Sequence, residues 1–466
     1  MKRNRNHMKK TLLLTMALGL AGASSLVAGN IDVYITGSTA FRANAYTACQ
    51  KLFTSGVLTT VYYGDTAHGG AGTGFSSKTA VWAMTGTPIT TLTNIQGNTL
   101  TIHGNFTGSI QGLQTTEQGI KLVWANADGT GGGNCATYST NAPTIGMSDS
   151  SGNASPYPAT GNFIEENVCV QPFVFAKSAA TAGAITTISN ITWEQLEFGI
   201  PAGRIPLSAW SYQVADTNKF VYLLQRTKDS GTRRVETQGA YYQFNDPVGI
   251  YIYDYTNNFF FTPSNTLQTT FGSFSNGVVG AAGFNNANLN WGPGYVGGGD
   301  IANSLNNGNP NNQAIACLSI GDSKSVNNGG GNWSAVISYN GIWPTAAGAA
   351  IHGNAGTNDY SPITLGYYPI WGYEVLVHPE VPNGTSPSTQ IPGQNLNYGQ
   401  LGDNVTPGSF MGVFNAQSYN NGGVVLVGSI ENEIILSQPG GATAIPLAAM
   451  ANSRPAVGGT IYPPFQ

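Results

Sequence analysis

Three short loops in the chain join a strand-like run to a turn of Gly, Ser and Thr. They are Thr36-Gly37-Ser38-Thr39, Asp128-Gly129-Thr130-Gly131-Gly132 and Asp229-Ser230-Gly231-Thr232. The first and third open onto segments with helical spacing. The first turn of a helix leaves backbone N–H groups without intrahelical partners at the positive end of its dipole, so such a loop attracts anions. Gly lets the backbone approach closely, and the hydroxyls add donors. The plainer role of Ser or Thr at each of these places is an N-cap. Arg226 lies four residues before Ser230. Its guanidinium is a fixed fork of donors that suits a tetrahedral oxyanion. Its plainer role is a surface charge, or a salt bridge to Asp229 or Glu236.

Other chemistries lack their residues. The chain has no His-Glu-x-x-His, no Gly-x-Ser-x-Gly elbow and no phosphate loop of the Gly-x-x-x-x-Gly-Lys-Ser/Thr kind. Asp128-Gly129-Thr130 has no second copy to supply the other carboxylate of an aspartic-protease dyad. His68, His103, His352 and His378 are scattered without an evident acid or nucleophile partner, which makes them surface or packing residues. The cysteines, Cys49, Cys135, Cys169 and Cys317, form no Cys-x-x-Cys, so no zinc site is expected. Four cysteines allow three pairings in an exported chain, and buried free thiols are the other reading.

The loops need strands and helices to hold them. Ile31–Ile35 reads as a strand, and Ala40–Phe53 as a helix with Phe41, Ala45, Ala48 and Leu52 on one face. Lys121–Trp124, Thr144–Met147, Phe173–Phe175, Phe220–Leu224, Ala314–Ile320 and Tyr373–Val377 read as further strands. Ile191–Phe198 reads as a helical turn capped by Thr192, and a helix is expected from about Gly231. This alternation predicts an α/β fold. Two stretches break the rhythm. Val61–Gly112, Thr- and Gly-rich with alternating apolar residues, reads as an inserted β-hairpin region. Phe261–Gln313, rich in Asn and Gly, reads as surface decoration without chemistry.

Charged residues are 9% of the chain, against about 25% in an average globular protein. With a net charge of −4 there is no basic field to draw nucleic acid, so an anion must be held by local groups. The N-terminus carries Lys2, Arg3, Arg5, Lys9 and Lys10, then apolar Leu12–Leu20, then small residues Ala21–Ser25. That order predicts a cleavable export signal over residues 1–29, and a periplasmic, extracellular or cell-surface destination.

On these residues a family resemblance rests. Arg226-Thr-Lys-Asp-Ser230-Gly231-Thr232 resembles the Arg-x-x-x-Ser-Gly-Thr motif of the phosphate-binding proteins of ABC transporters, which have the type 2 periplasmic binding fold. Ile35-Thr-Gly-Ser-Thr-Ala-Phe41 resembles that family's first loop, and Gly129-Thr130-Gly131-Gly132 its second. Ile145-Gly-Met-Ser148-Asp149 is similar to its Ala-Ser-Asp strand end. Thr192-Trp193-Glu194-Gln195-Leu196 with Trp210, and Tyr368-Pro369-Ile370, resemble later segments. The first loop departs from the family pattern: Ala40 stands where a Thr is usual, with Thr39 one place earlier.

The resemblance implies two lobes, residues 30–170 with 372–466 and residues 171–371, joined by crossings near Phe173–Phe175 and Tyr373–Val377. Thr39, Ala40, Phe41, Thr130 and Asp149 would face Arg226, Ser230, Gly231 and Thr232 across a cleft that holds phosphate or a related oxyanion. It implies that Asp149 accepts the proton of hydrogen phosphate, a proton that sulfate lacks; the local alternative is a turn cap. It further implies a non-enzymatic monomer without a cofactor that delivers its ligand to an ABC permease. The rival expectations are a surface or matrix protein of the same fold without tight anion binding, and a secreted phosphatase-like member of the fold.

Overall fold

The computed structural model describes residues 29–453 apart from 56–58, 63–80, 107, 129–136, 153–158, 179–187, 229, 243–245, 255–258, 262–293, 296, 307–312, 327–334, 347–358, 416–429, 431–443 and 452. The expected signal segment, Thr130, Cys135 and Asp229 therefore lie outside the described residues.

The chain adopts a mixed α/β fold. The strands that build and position the site are β1 (Asn30–Gly37), β2 (Thr59–Tyr62), β3 (Val81–Gly86), β4 (Thr99–Asn105), β5 (Leu122–Ala125), β6 (Tyr138–Asn141), β7 (Ile145–Ser148), β8 (Phe163–Lys177), β9 (Arg204–Pro206), β10 (Phe220–Leu224), β11 (Gln313–Ser319), β12 (Val336–Tyr339) and β13 (Trp371–Pro379). The helices that matter to the site are α1 (Arg42–Gln50), α2 (Ser109–Glu117), α3 (Trp193–Ala202), α4 (Gly231–Gly239) and α5 (Gly298–Asn306). One sheet runs in the order β9-β10-β11-β8-β13-β7-β1-β4-β3-β2, with β12 branching from β8. β1 is parallel to both β4 and β7, and β10 is parallel to β11. β8 is antiparallel to β13 and β11.

β8 and β13 run from one hydrophobic core into another. Val33, Ile35, Phe41, Trp82, Ile102, Met147, Val168, Leu376 and Phe410 belong to the first core. Val170, Phe173, Phe175, Leu223, Ile315, Tyr339 and Trp371 belong to the second. The division falls between Cys169 and Val170 on β8, which gives the molecule two lobes. β11 is buried on both faces. Ile315 and Cys317 point into the second core, while Ala314, Ala316 and Leu318 meet Ile301 and Leu305 of α5 on the other side. That explains its unbroken apolar run, the pattern of a strand covered on both faces. Burial of each large aliphatic side chain contributes on the order of 1.5–3 kcal/mol.

Two stretches differ from expectation. Within Val61–Gly112, β2 and β3 do form an antiparallel pair at the sheet edge. β4, however, is an inner strand in register with all but the last residue of β1, and α2 begins at Ser109 beside the central strands. Within Phe261–Gln313, α5 packs on β11, and Tyr295 bridges to Arg226.

Candidate functional site

Strands β1 and β7 end side by side in the first lobe, and β10 ends opposite them in the second. At the end of β1 the chain turns through Gly37, whose φ of +125° belongs to glycine, and a Cβ there would overlap the Met147 carbonyl. Ser38 donates its N–H to that carbonyl at 2.9 Å. Thr39, Ala40 and Phe41 then lead into α1, with Phe41 as a fully buried N-cap residue whose side chain makes no cap bond. Asp149 directly follows β7.

From the second lobe, β10 runs into Gln225 and Arg226, and Ser230 precedes α4. Arg226 is 3% exposed. Its Nε donates to the Tyr295 carbonyl at 3.2 Å, its Nη1 to Thr232 Oγ1 at 3.4 Å, and its Nη2 across the cleft to Thr39 Oγ1 at 3.4 Å. The expected alternatives, a salt bridge to Glu236 or a surface position, do not fit. Glu236 instead accepts from Gln225 Nε2 at 2.9 Å.

Ser230 separates an N-cap from a site residue. Thr192 caps α3 in full, accepting from Gln195 N at 3.3 Å, with the Gln195 side chain returning the bond. Ser230 occupies the same position on α4 but makes no cap bond, and its buried hydroxyl has no hydrogen-bond partner. Asp149, 1% exposed, has one carboxylate oxygen, Oδ1, without a partner. Burial raises its pKa, while a hydrogen bond from Ser109 and the charge of Arg226 pull it back. Gly231 lies directly on this carboxylate; a Cβ at 231 would overlap Asp149 Oδ1.

The structure thus brings together Thr39, Asp149, Arg226, Gly231 and Thr232 by contact, with Ser230 beside them and Ala40 and Phe41 at the start of α1. Thr130 lies outside the described residues. Ser38, in the first loop read from the sequence, is buried with an unpartnered hydroxyl. Other residues at the site carried no sequence signal of their own: Ser109 stands at the first position of α2 after Gly108. Asp300, at the start of α5, and Asp322 lie close enough to Arg226 for their charges to act on it. Burial pulls the Arg226 pKa below its ordinary value, and Asp322, Asp149 and Asp300 push it back up. Burial raises Asp300 to about 7, against the Gly297 N–H and Arg226, which lower it. The Asn/Gly-rich stretch, expected to hold no chemistry, therefore supplies one carboxyl and one carbonyl around the arginine.

Two histidines also depart from expectation. His103 sits 3.2 Å from Asp32 and bonds the Ala125 carbonyl at 2.7 Å, which ties β4 to β1 and to the β5–β6 hairpin. His378 lies 3.4 Å from Glu166, whose oxygens also accept from Asn404 N and Asn415 Nδ2. Both are buried structural ties remote from Arg226 in the sheet. Cys49 and Cys317 are buried free thiols, and Cys169 is buried as well. Among the described residues no helix is long and apolar enough to cross a membrane.

Chemically, the arrangement offers the Arg226 guanidinium, with the charge of Arg42 at the start of α1 also felt there, the hydroxyls of Ser38, Thr39, Ser230 and Thr232, and the first-turn N–H groups of α1, α2 and α4. Asp149, with its unpartnered Oδ1, stands among them as an acceptor. Buried donors grouped with a buried acceptor suit a tetrahedral oxyanion that carries a proton.

No family model and no curated protein matches the sequence. Among solved structures, the chain is similar to an ABC-type phosphate transport receptor from Vibrio cholerae at 14% identity, covering 76% of this chain and 88% of that one, with a TM-score of 0.33. It is also similar to a phosphate-binding protein from Stenotrophomonas maltophilia at 12% identity, covering 75% and 78%, with a TM-score of 0.32. These likenesses are remote, and the character of the site rests on its own residues.

Proposed function

We propose that this chain is an exported solute-binding protein that captures an inorganic oxyanion, phosphate in the first place, between its two lobes. The observation that carries this reading is the cross-cleft meeting of Arg226 with Thr39 at 3.4 Å beside the buried, unpartnered Ser230 hydroxyl and Asp149 Oδ1. A buried hydroxyl and a buried carboxylate oxygen left without partners each cost about 1–3 kcal/mol or more. A ligand that both accepts and donates hydrogen bonds removes that cost. Hydrogen phosphate does both; sulfate only accepts.

Supporting features are the local motif Arg226-x-x-x-Ser230-Gly231-Thr232 and the export-like N-terminus. In this reading the chain acts outside the cytoplasm without catalysis and hands its ligand to an ABC permease. Residues 30–169 with most of 372–466 form one jaw, and residues 170–371 with Ile445 the other. Calorimetric titration with phosphate, sulfate and molybdate tests it, with small-angle scattering alongside. The expected result is tight phosphate binding, much weaker sulfate binding and a modest fall in radius of gyration on saturation. Absence of binding to all three anions would sink the reading in favour of a surface or matrix protein. Turnover of a phosphomonoester would replace it with a phosphatase.

A further inference from the structure

Glu374 is a buried acid of the central strands that the proposed ligand chemistry does not use. It sits on β13, is 0% exposed, and neither of its carboxyl oxygens has a hydrogen-bond partner. The β13–β7 register pairs Val375 with Ser148, Leu376 with Met147 and Val377 with Gly146. One further antiparallel step sets Glu374 opposite Asp149, and cross-strand neighbours project to the same face of a sheet. Ser38, at the end of β1, faces Glu374 from the other side without forming a well-aligned bond. Two buried carboxyls therefore stand together at the floor of the site, where one arginine, Arg226, reaches in from the opposite lobe.

Two ionised carboxylates at close range in a dry interior do not coexist; one of them keeps a proton. Asp149 has the Ser109 hydroxyl and Arg226 to favour its charged form. Among the described residues no cation acts on Glu374: Asp149 and the Ser38 hydroxyl do, and Cys169 is its strand partner on β8. Glu117, also raised to about 7 by burial and by Glu165, lies at the far end of α2.

We propose that Glu374 is a second carboxyl of the anion site, neutral while Asp149 is charged, and that its proton sets the alkaline limit of anion capture. The proposal rests on the oxyanion reading of the site. While Glu374 holds its proton, the pair carries one negative charge and Arg226 offsets it. Loss of that proton places a second carboxylate beside Asp149 and repels the incoming anion. Affinity then falls as pH rises, over a range in which hydrogen phosphate itself does not change charge.

Two measurements on the full exported chain and on Glu374→Gln, which is neutral at every pH, decide the matter. Carboxyl carbon NMR of the ligand-free protein at neutral pH should show a protonated glutamic acid that is missing from Glu374→Gln. Absence of that signal overturns the proposal whatever the binding result. Phosphate titration from about pH 8 to about pH 10 should show affinity falling at least about tenfold in the parent and by less than about threefold in Glu374→Gln, where tenfold is about 1.4 kcal/mol. Parallel pH profiles in the two proteins also overturn it. A protonated signal with no phosphate binding at any pH overturns the oxyanion reading, and the capture limit falls with it.

Discussion

Gly231 of one lobe rests its Cα on the carboxylate of Asp149 in the other. A Cβ at 231 would overlap Asp149 Oδ1 and approach Ser109 Oγ to 2.9 Å. Because Asp149 is buried at the end of β7, it cannot step aside as an exposed side chain would. Gly231→Ala should therefore hold the lobes apart. Phosphate affinity should fall at least about tenfold, roughly 1.4 kcal/mol, while the added methyl favours α4 by up to about 1 kcal/mol. Calorimetry with thermal melting separates the two effects. Unchanged affinity would mean that this close approach is not needed for capture.

Arg226→Ala removes the guanidinium at the centre of the site. A charge-assisted hydrogen bond contributes about 1.5–3 kcal/mol, so phosphate affinity should fall by tenfold or more with circular dichroism unaltered. Arg226→Lys keeps the charge but not the fork that spans Thr39 and Thr232, and should fall between parent and Ala. An Ala variant that binds like the parent would place the site elsewhere.

Selectivity isolates Asp149. Asp149→Asn replaces an acceptor oxygen with a donor and removes a charge. Sulfate gains a donor and loses a repulsion; phosphate loses an acceptor along with the repulsion. The ratio of phosphate to sulfate affinity should drop at least about tenfold. A ratio that does not move leaves Asp149 as a turn residue.

Stability should lean toward acid. Burial raises Glu236 to about 7 from 4.5, Glu117 to about 7 from 4.5 and Asp300 to about 7 from 3.8. For acids raised in the folded state, the native protein binds more protons than the unfolded chain between the two values. Stability is then full below about 4 and declines as pH rises through about 7. Asp32 runs the other way: burial raises it, but His103, Asn395 and Asn30 outweigh that and lower it, so its contribution changes only below 3.8. The melting temperature of the ligand-free protein should fall from about pH 5 to about pH 8, and Glu236→Gln should flatten part of the slope. A melting temperature that rises over this range would contradict the assignment.

How much of this was legible in the sequence depends on how local each feature is. Arg226, Ser230, Gly231 and Thr232 lie within seven consecutive residues, and a strand that ends in a Ser-Gly-Thr helix start is readable from spacing alone. β10 was likewise expected at Phe220–Leu224, where it occurs. β4 was hidden by a misleading pattern. Its alternating Thr101, His103 and Asn105 look solvent-facing, yet all three are buried: His103 and Asn105 Nδ2 bond the Ala125 and Val123 carbonyls of the β5–β6 hairpin, and Thr101 bonds Thr85 and Asn30. Ser109 went unread for the same reason, since α2 follows that strand. β8 begins ten residues before the expected Phe173 because Glu165 and Glu166 mask its apolar rhythm. Glu374 and Asp149 are brought together only by strand register, and no local window of residues contains both.

The ribbon of β8 and β13 carries one irregularity. Glu374 pairs with Cys169 and Val375 with Asn167, which leaves Val168 as an extra residue on β8. A ladder of backbone hydrogen bonds resists shear along its length, and an extra residue is where it bends and twists most readily. The joint between the lobes is thus a leaf spring with a single soft notch, and Glu374 is mounted at that notch. The notch lies where Val168 of one core gives way to Val170 of the other, so a bend there would turn one core on the other while both strands stay continuous.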